Sequence, residues 1–128
     1  LGQAELRAVA EIVHEVEFKA DDTVFSAGDD GDSLYIVLRG MVEVISTGGR
    51  TVAVLDASES VGEMALLDDE VRSASVVCKE DSVLLKITRD DFNQLILERP
   101  EIAFGLFKTL VGRLRSAIGG KRAIPLSA

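Results

Sequence analysis

Cysteine and histidine are almost absent from this sequence, since each occurs once in 128 residues. Because Cys78 has no partner, no disulfide can form within the chain, which favours a reducing compartment such as the cytoplasm. Cys78 ends a strand-like run, where a free cysteine usually behaves as a small buried apolar residue. His14 lies near the end of a predicted helix and outside the predicted strands, and we expect it at the surface.

Positive charge and long apolar runs are also scarce. The chain has 14 lysines and arginines against 22 aspartates and glutamates, which gives a net charge of −8 at pH 7. An acidic surface repels nucleic acids and anionic membranes, so direct nucleic-acid binding is disfavoured. The apolar runs are only a few residues long, and no membrane span is predicted. A globular domain remains, since hydrophobic residues make up 47% of a chain of one domain's length.

Hydrophobic periodicity predicts one helix followed by about eight short strands. Apolar residues recur at helical spacing over residues 3–14 and then alternate, at Val16, Phe18 and Ala20, as in a half-buried strand. Further strands are predicted over residues 23–26, 33–45, 51–55, 73–78 and 82–87. Gly40 lies inside the longest of these runs, where a glycine indicates a bend or bulge.

Two helices are predicted after the strands. Thr88 suits the N-cap of the first helix, and Phe92, Leu95 and Ile96 form its apolar stripe. Pro100 can open the second helix. Its apolar residues recur every four positions, at Ile102, Leu106, Leu110, Leu114 and Ile118. That stripe is core by default; it could also be a lid or the surface of a homodimer, and the sequence does not separate these.

The order of these elements indicates an α+β domain. Short strands at regular spacing favour a jelly-roll-like antiparallel β-barrel or sandwich of about eight strands, with an N-terminal helix and C-terminal lid helices. We predict one domain over residues 1–118. Residues 119–128 begin with two glycines, and we predict a flexible tail or linker there.

The segment VGEMALLDDEVRSAS, residues 61–75, contains what a protein needs to hold a phosphate diester. The fork of Arg72 suits two phosphate oxygens. Gly62 lets a backbone approach closely. Residues 63–67 can form one helical turn, whose unpaired amides would point at the anion.

The neighbours of Arg72 complete this pocket. Ser73 and Ala74 are small and can supply further donors. Glu63 would repel a phosphate, so its carboxylate makes sense as the acceptor for a ribose hydroxyl. Together the residues predict a site for a ribose and a phosphate in one small ligand.

The same segment resembles the phosphate-binding cassette of the cyclic nucleotide-binding domain family. The family pattern runs Gly-Glu-Leu-Ala-Leu, a short variable stretch, and then Arg-Ala-Ala or Arg-Ser/Thr-Ala, and Arg72 follows Glu63 at the family's spacing. The upstream stretch VFSAGDDGDSLYIVLRGMVEV and the downstream stretch ITRDDFNQLILERPEIAFGLFKTLVGRLR are also similar to the family. The resemblance covers residues 4–118.

The resemblance implies a receptor module for cAMP or cGMP, with no catalytic residues. The implied ligand-binding residues are Val61, Gly62, Glu63, Met64, Ala65, Arg72, Ser73 and Ala74. Among them Arg72 would hold the cyclic phosphate, Glu63 the ribose 2′-hydroxyl, and Val61 and Met64 the base. Family frequency favours cAMP, whereas the hydroxyl of Ser73 also permits cGMP. The C-terminal helix would close over the ligand as a lid.

The resemblance further implies an effector domain in the same parent chain, and we interpret this chain as a piece of a larger protein because Leu1 is not a natural start. A metal-dependent enzyme of the cupin type is disfavoured, because one histidine outside the strands cannot supply its ligands. Catalytic Ser-His-Asp and Cys-His arrangements are disfavoured for the same reason.

An acidic loop precedes the longest predicted strand. The loop with Asp29, Asp30 and Asp32 superficially suggests calcium, but it lacks the longer set of ligands of an EF-hand loop, so we predict neither a metal nor a cofactor. The remaining alternative is a degenerate cyclic nucleotide-binding fold that acts as a ligand-independent protein-interaction domain.

Overall fold

A computed structural model describes residues 3–62, 65 and 71–108. The helices and strands in chain order are α1 (Gln3–Ile12), β1 (Val13–Phe18), β2 (Thr23–Phe25), β3 (Ser33–Arg39), β4 (Val42–Ser46), β5 (Thr51–Leu55), β6 (Ser60–Val61), β7 (Ala74–Cys78), β8 (Ser82–Thr88) and α2 (Arg89–Glu98). Residues 100–108 are again helical.

The strands form two four-stranded antiparallel sheets. The first sheet has the order β1-β8-β3-β6 and the second β2-β7-β4-β5. Together they make an unclosed jelly-roll-like sandwich, so the prediction of an α+β domain of about eight strands with flanking helices is confirmed.

Two apolar clusters hold these layers together, because β3 and β8 bury side chains on both of their faces. Tyr35, Val37 and Leu84 join residues of the second sheet in a cluster between the sheets. Leu34 and Ile87 point to the opposite face and belong to a cluster with residues of α1, α2 and the helical segment 100–108. Each such side chain stabilises the fold by about 2 kcal/mol on burial, and the helices are thereby fixed to the first sheet.

The boundary between α1 and β1 differs from the prediction. The helix ends at Ile12, and Val13 and His14 already pair with Ile87 and Lys86 of β8. The placement of His14 outside the strands was therefore wrong, because pairing with a distant strand overrides the local helical pattern. Its predicted exposure at the surface is confirmed.

The long strand predicted over residues 33–45 is two strands, and they belong to different sheets. The break lies at Gly40, which has a φ of 101°. A residue with a side chain rarely adopts that conformation, so glycine allows the chain to pass from the first sheet to the second.

The predictions for residues 88–100 are largely confirmed. Thr88 caps α2, since its hydroxyl accepts the backbone N–H of Asp91 at 3.1 Å. Pro100 opens the next helical segment. Phe92 and Leu95 are buried, but Ile96 is 43% exposed. The face of α2 that packs on the core is therefore narrower than the predicted apolar stripe.

Several predictions fall on residues outside the described part of the chain. These are most of the helical turn at residues 63–67, the apolar positions Leu110, Leu114 and Ile118, and the tail at residues 119–128. In the described part, no helix has the length and apolar character needed to cross a membrane.

Candidate ligand-binding site

The backbone of Arg72 is fixed to the acidic loop between β2 and β3. Its N–H donates to the carbonyl of Asp29 at 2.7 Å, and its own carbonyl accepts the N–H of Gly28 at 2.8 Å. Asp30 and Val71 form a bridge beside these bonds. Asp29 also stabilises the loop itself, because its carboxylate accepts the N–H of Ser26 at 2.9 Å. The loop therefore holds the arginine in place.

The side chain of Arg72 is buried between the two sheets, with 3% of its surface exposed. Its Nη2 donates to the carbonyl of Ser33, in β3, at 2.6 Å. Its Cζ lies 4.0 Å from the centroid of the Phe25 ring, at the end of β2. Since β3 and β2 belong to different sheets, the guanidinium connects the two layers at the site.

Two glycines make room for this guanidinium. Gly62 has a φ of 88°, and a Cβ at this position would overlap Nη1 of Arg72 and lie 3.0 Å from the Ser33 carbonyl oxygen. A Cβ at Gly31 would lie 3.2 Å from Nε of Arg72 and 3.4 Å from Cβ of Ala65. Gly31, Gly62, Ala65 and Arg72 therefore meet in one small volume, which we call the Arg72 cradle.

The family model of the cyclic nucleotide-binding domain matches residues 15–99 of this chain. The chain belongs to this family. It is 45% identical over 98 residues to the cyclic AMP receptor protein of Thermus thermophilus, covering 73% of this chain and 45% of that protein. It is 37% identical over 93 residues to human Rap guanine nucleotide exchange factor 3, covering 72% of this chain and 10% of the relative.

The fold of the cyclic nucleotide-binding domain is also found among solved structures. A cyclic nucleotide-binding domain from Methylobacillus flagellatus superposes with a TM-score of 0.87 at 27% identity, covering 92% of this chain and 68% of that one. The chain spans less than half the length of the two relatives named above.

Three of the predicted ligand-binding residues meet at the Arg72 cradle. Arg72, Gly62 and Ala65 are in contact range there. The N–H of Ala65 donates to the carbonyl of Gly62 at 3.1 Å, so this amide closes a turn in the present structure. Val61 lies next to them in β6, where it pairs with Tyr35 and is fully buried in the cluster between the sheets.

The other predicted residues lie on either side of the cradle or outside the described range. Ser73 is exposed, which leaves its side chain accessible, and Ala74 is buried as the first residue of β7. Glu63 and Met64 lie outside the described residues. The contacts of all eight residues with a ligand stay predictions.

Sequence reasoning missed Phe25, Gly31 and Ser33 as neighbours of Arg72. Phe25 and Ser33 are separated from Arg72 by 47 and 39 positions, and only the sheet topology brings them together. A signal did exist, since the stretch that holds all three residues already resembled the family upstream of the cassette. The contact of Gly31 with Arg72 becomes visible only in the folded chain.

The described residues contribute a single buried charge to this site. Arg72 is the only charged side chain among them that is buried. Burial strengthens its electrostatic interaction with an anion, because the effective dielectric constant is lower than in water. No group of three or more His, Cys, Asp or Glu side chains in the described part of the chain is arranged to hold a metal ion. A buried guanidinium is a group that suits an anionic ligand.

Proposed function

We propose that this chain is a regulatory module that binds cAMP at Arg72 and relays binding, through its C-terminal helices, to an effector in a larger protein. The single observation that carries the proposal is the buried Arg72 guanidinium beside Gly62 and Gly31. A cyclic phosphate carries one negative charge and two free oxygens, which a guanidinium fork matches in charge and shape. The two glycines let the backbone lie close against the fork.

The preference for cAMP over cGMP is supported by the relatives. The Thermus thermophilus protein, named for cyclic AMP, is 45% identical to this chain over the matched region. Ser73 is exposed beside Arg72 and could hydrogen-bond a guanine, so cGMP is the natural competitor to test.

The relay is supported by the carbonyl groups of two consecutive residues, Asp32 and Ser33, at the start of β3. Arg72 donates to the carbonyl of Ser33, and the N–H of Arg89, the first residue of α2, donates to the carbonyl of Asp32 at 2.7 Å. An anion that draws the guanidinium toward itself changes the Ser33 contact, one residue from the anchor of α2. A ligand that favours one position of Arg72 would thus favour one arrangement of α2.

Isothermal titration with cAMP, cGMP and 5′-AMP tests the binding proposal on protein stripped of bound nucleotide. Wild type should bind cAMP more tightly than the other two. Arg72→Lys keeps the charge but loses the fork, and should weaken cAMP binding about thirtyfold. Arg50→Lys makes the same change at an exposed arginine of the β4–β5 turn and should leave affinity within about twofold.

An empty, folded wild-type protein that binds no cyclic nucleotide would refute this proposal and favour the ligand-independent interaction domain. The relay has its own test, hydrogen exchange of the Arg89 amide with and without cAMP. Binding should alter the exchange of this amide, while amides of β5, which lies in the other sheet, should keep theirs. Saturated protein with unchanged exchange in α2 would leave binding intact and rule out the relay.

A further inference from the structure

Phe25 presents the face of its ring to the Arg72 guanidinium. The Arg72 Cζ lies 4.0 Å from the ring centroid, well inside the range at which a cation is attracted to an aromatic face. The ring is itself fixed, because Phe25 is 7% exposed and belongs to the cluster between the sheets. The Tyr35 ring lies beside it, with a centroid distance of 6.1 Å and an interplanar angle of 38°. Phe25 is thus a rigid surface under the guanidinium.

A ring suits this position for a reason specific to anion binding. The N–H groups of a guanidinium lie in its plane, so a partner on its face uses none of them. A carboxylate partner would take two of these donors and neutralise the charge. The Ser33 carbonyl takes one donor, on Nη2, in the plane of the group. A ring on the face therefore orients the cation without using any of its donors and without neutralising its charge.

The two neighbouring glycines restrict the same group from other directions. Gly62 and Gly31 both lie so near that an added Cβ would press on guanidinium nitrogens. The plane of the guanidinium is thus determined by a ring, a carbonyl oxygen and two backbone segments. Among these, Phe25 is the contact that holds the face.

We infer that Phe25 is a positioning residue for the anion site: its ring holds the Arg72 guanidinium in the orientation that receives the cyclic phosphate. The inference rests on the proposed function, since it assigns Phe25 a part in that same site. This role of Phe25 differs from that of an apolar residue that only fills the core.

Phe25→Leu separates these two roles, because leucine keeps an apolar side chain but has no aromatic face. Titration should show cAMP binding weakened about tenfold. Phe25→Tyr keeps the ring face and should restore affinity to within about threefold of wild type. Phe18→Leu is the matched control, since Phe18, in β1, packs against the same cluster. This variant should lose stability with little change in affinity.

A second measurement needs no ligand. A proton above an aromatic face is shifted upfield by the ring current, so the guanidinium N–H signals of Arg72 should be displaced in the nucleotide-free protein. Arg72→Lys identifies these signals by their loss. Phe25→Leu should abolish the displacement, and both Phe25→Tyr and Phe18→Leu should retain it.

Two results would overturn the inference: an unchanged displacement in Phe25→Leu, or a loss of affinity in Phe25→Leu no greater than in Phe18→Leu. Failure of the proposed function appears differently, as a wild-type protein that binds neither cyclic nucleotide. In that case the displacement alone decides whether Phe25 holds the guanidinium.

Discussion

Gly40 lies directly against the backbone of Ser82, so that a Cβ at position 40 would come within 2.7 Å of the Ser82 Cα. The contact marks the point where the chain leaves the first sheet for the second. Ser82 is itself buried, and its hydroxyl donates to the Glu80 carbonyl at 2.8 Å. An added methyl group would meet the Ser82 hydroxyl and also the Ser82 main chain, and a rotamer change cannot move the main chain aside.

Gly40→Ala should therefore destabilise the domain by about 3 kcal/mol, combining backbone strain at positive φ with overpacking. Gly49→Ala is the control, because Gly49 also has a positive φ, 83°, but nothing lies within 4 Å of an added Cβ. It should cost about 1 kcal/mol. Urea unfolding of both variants measures the difference, and equal losses would show that the contact with Ser82 relaxes without cost.

A similar pair isolates the role of Gly62 in the site. Gly62→Ala places a methyl group on the Arg72 guanidinium, whereas Gly28→Ala, at a φ of 92°, meets nothing within 4 Å. Both substitutions strain the backbone alike, so we expect similar losses of stability from strain, about 1 kcal/mol each. Only Gly62→Ala should also weaken cAMP binding, by about tenfold or more. Calorimetric titration checks this, and equal affinities in the two variants would contradict it.

His14 and Asp91 predict a local pH dependence. His14 Nε2 lies 2.8 Å from Asp91 Oδ2, which joins β1 to the first turn of α2. The hydrogen bond from His14 lowers the pKa of the Asp91 carboxyl, and the bond to Thr88 adds to this effect. Because the folded pKa is lowered, the pair stabilises the fold above the ordinary pKa of aspartate, near 4, and that stability is lost as pH falls through the folded pKa.

His14→Ala should raise the Asp91 pKa toward its ordinary value, which NMR titration of the carboxyl carbon measures. The loss of stability at neutral pH should stay below about 1 kcal/mol, since both side chains are exposed to solvent. Glu101 is the internal control in the same spectra, because its pKa is lowered by Arg99 instead. A titration of Asp91 that does not change in the variant would show that the pair does not persist in solution.

Cys78 should be chemically protected in the folded protein. The side chain is buried in β7, and this burial raises the pKa of the thiol, so less thiolate is present at neutral pH than for a free cysteine. A thiol reagent at pH 8 should react with the native protein more slowly than with the unfolded chain by a factor on the order of a thousand. Reaction at the unfolded rate without denaturant would contradict the burial of β7.

Local sequence patterns were sufficient to predict most of the fold. They failed where pairing with a distant strand determines the structure. The alternation in β1, the strand β8 and the cap at Thr88 are local features, and they were predicted. The start of β1 at Val13 was missed because its pairing with Ile87 is not visible in a helical periodicity. The two-residue strand β6 was missed because it is too short to alternate, and it exists through its pairing with β3.

The residues of the site likewise fall into those that local sequence predicts and those that only the fold brings together. Gly62, Ala65 and Arg72 lie within eleven positions, and the spacing of the cassette was enough to bring them together. Phe25, at the end of β2, and Gly31, in the loop between β2 and β3, contact the same guanidinium although they are distant from it in sequence. Their part in the site depends on the pairing of β2 with β7, which no short window of sequence contains.

The bond between Arg72 and the Ser33 carbonyl has a consequence for reading related sequences. An arginine that ties one sheet to the other is useful to the fold even when no nucleotide is bound. A descendant that lost its ligand would still be under selection to keep this residue. The presence of Arg72 alone in a related sequence would therefore not show that the domain still binds a nucleotide.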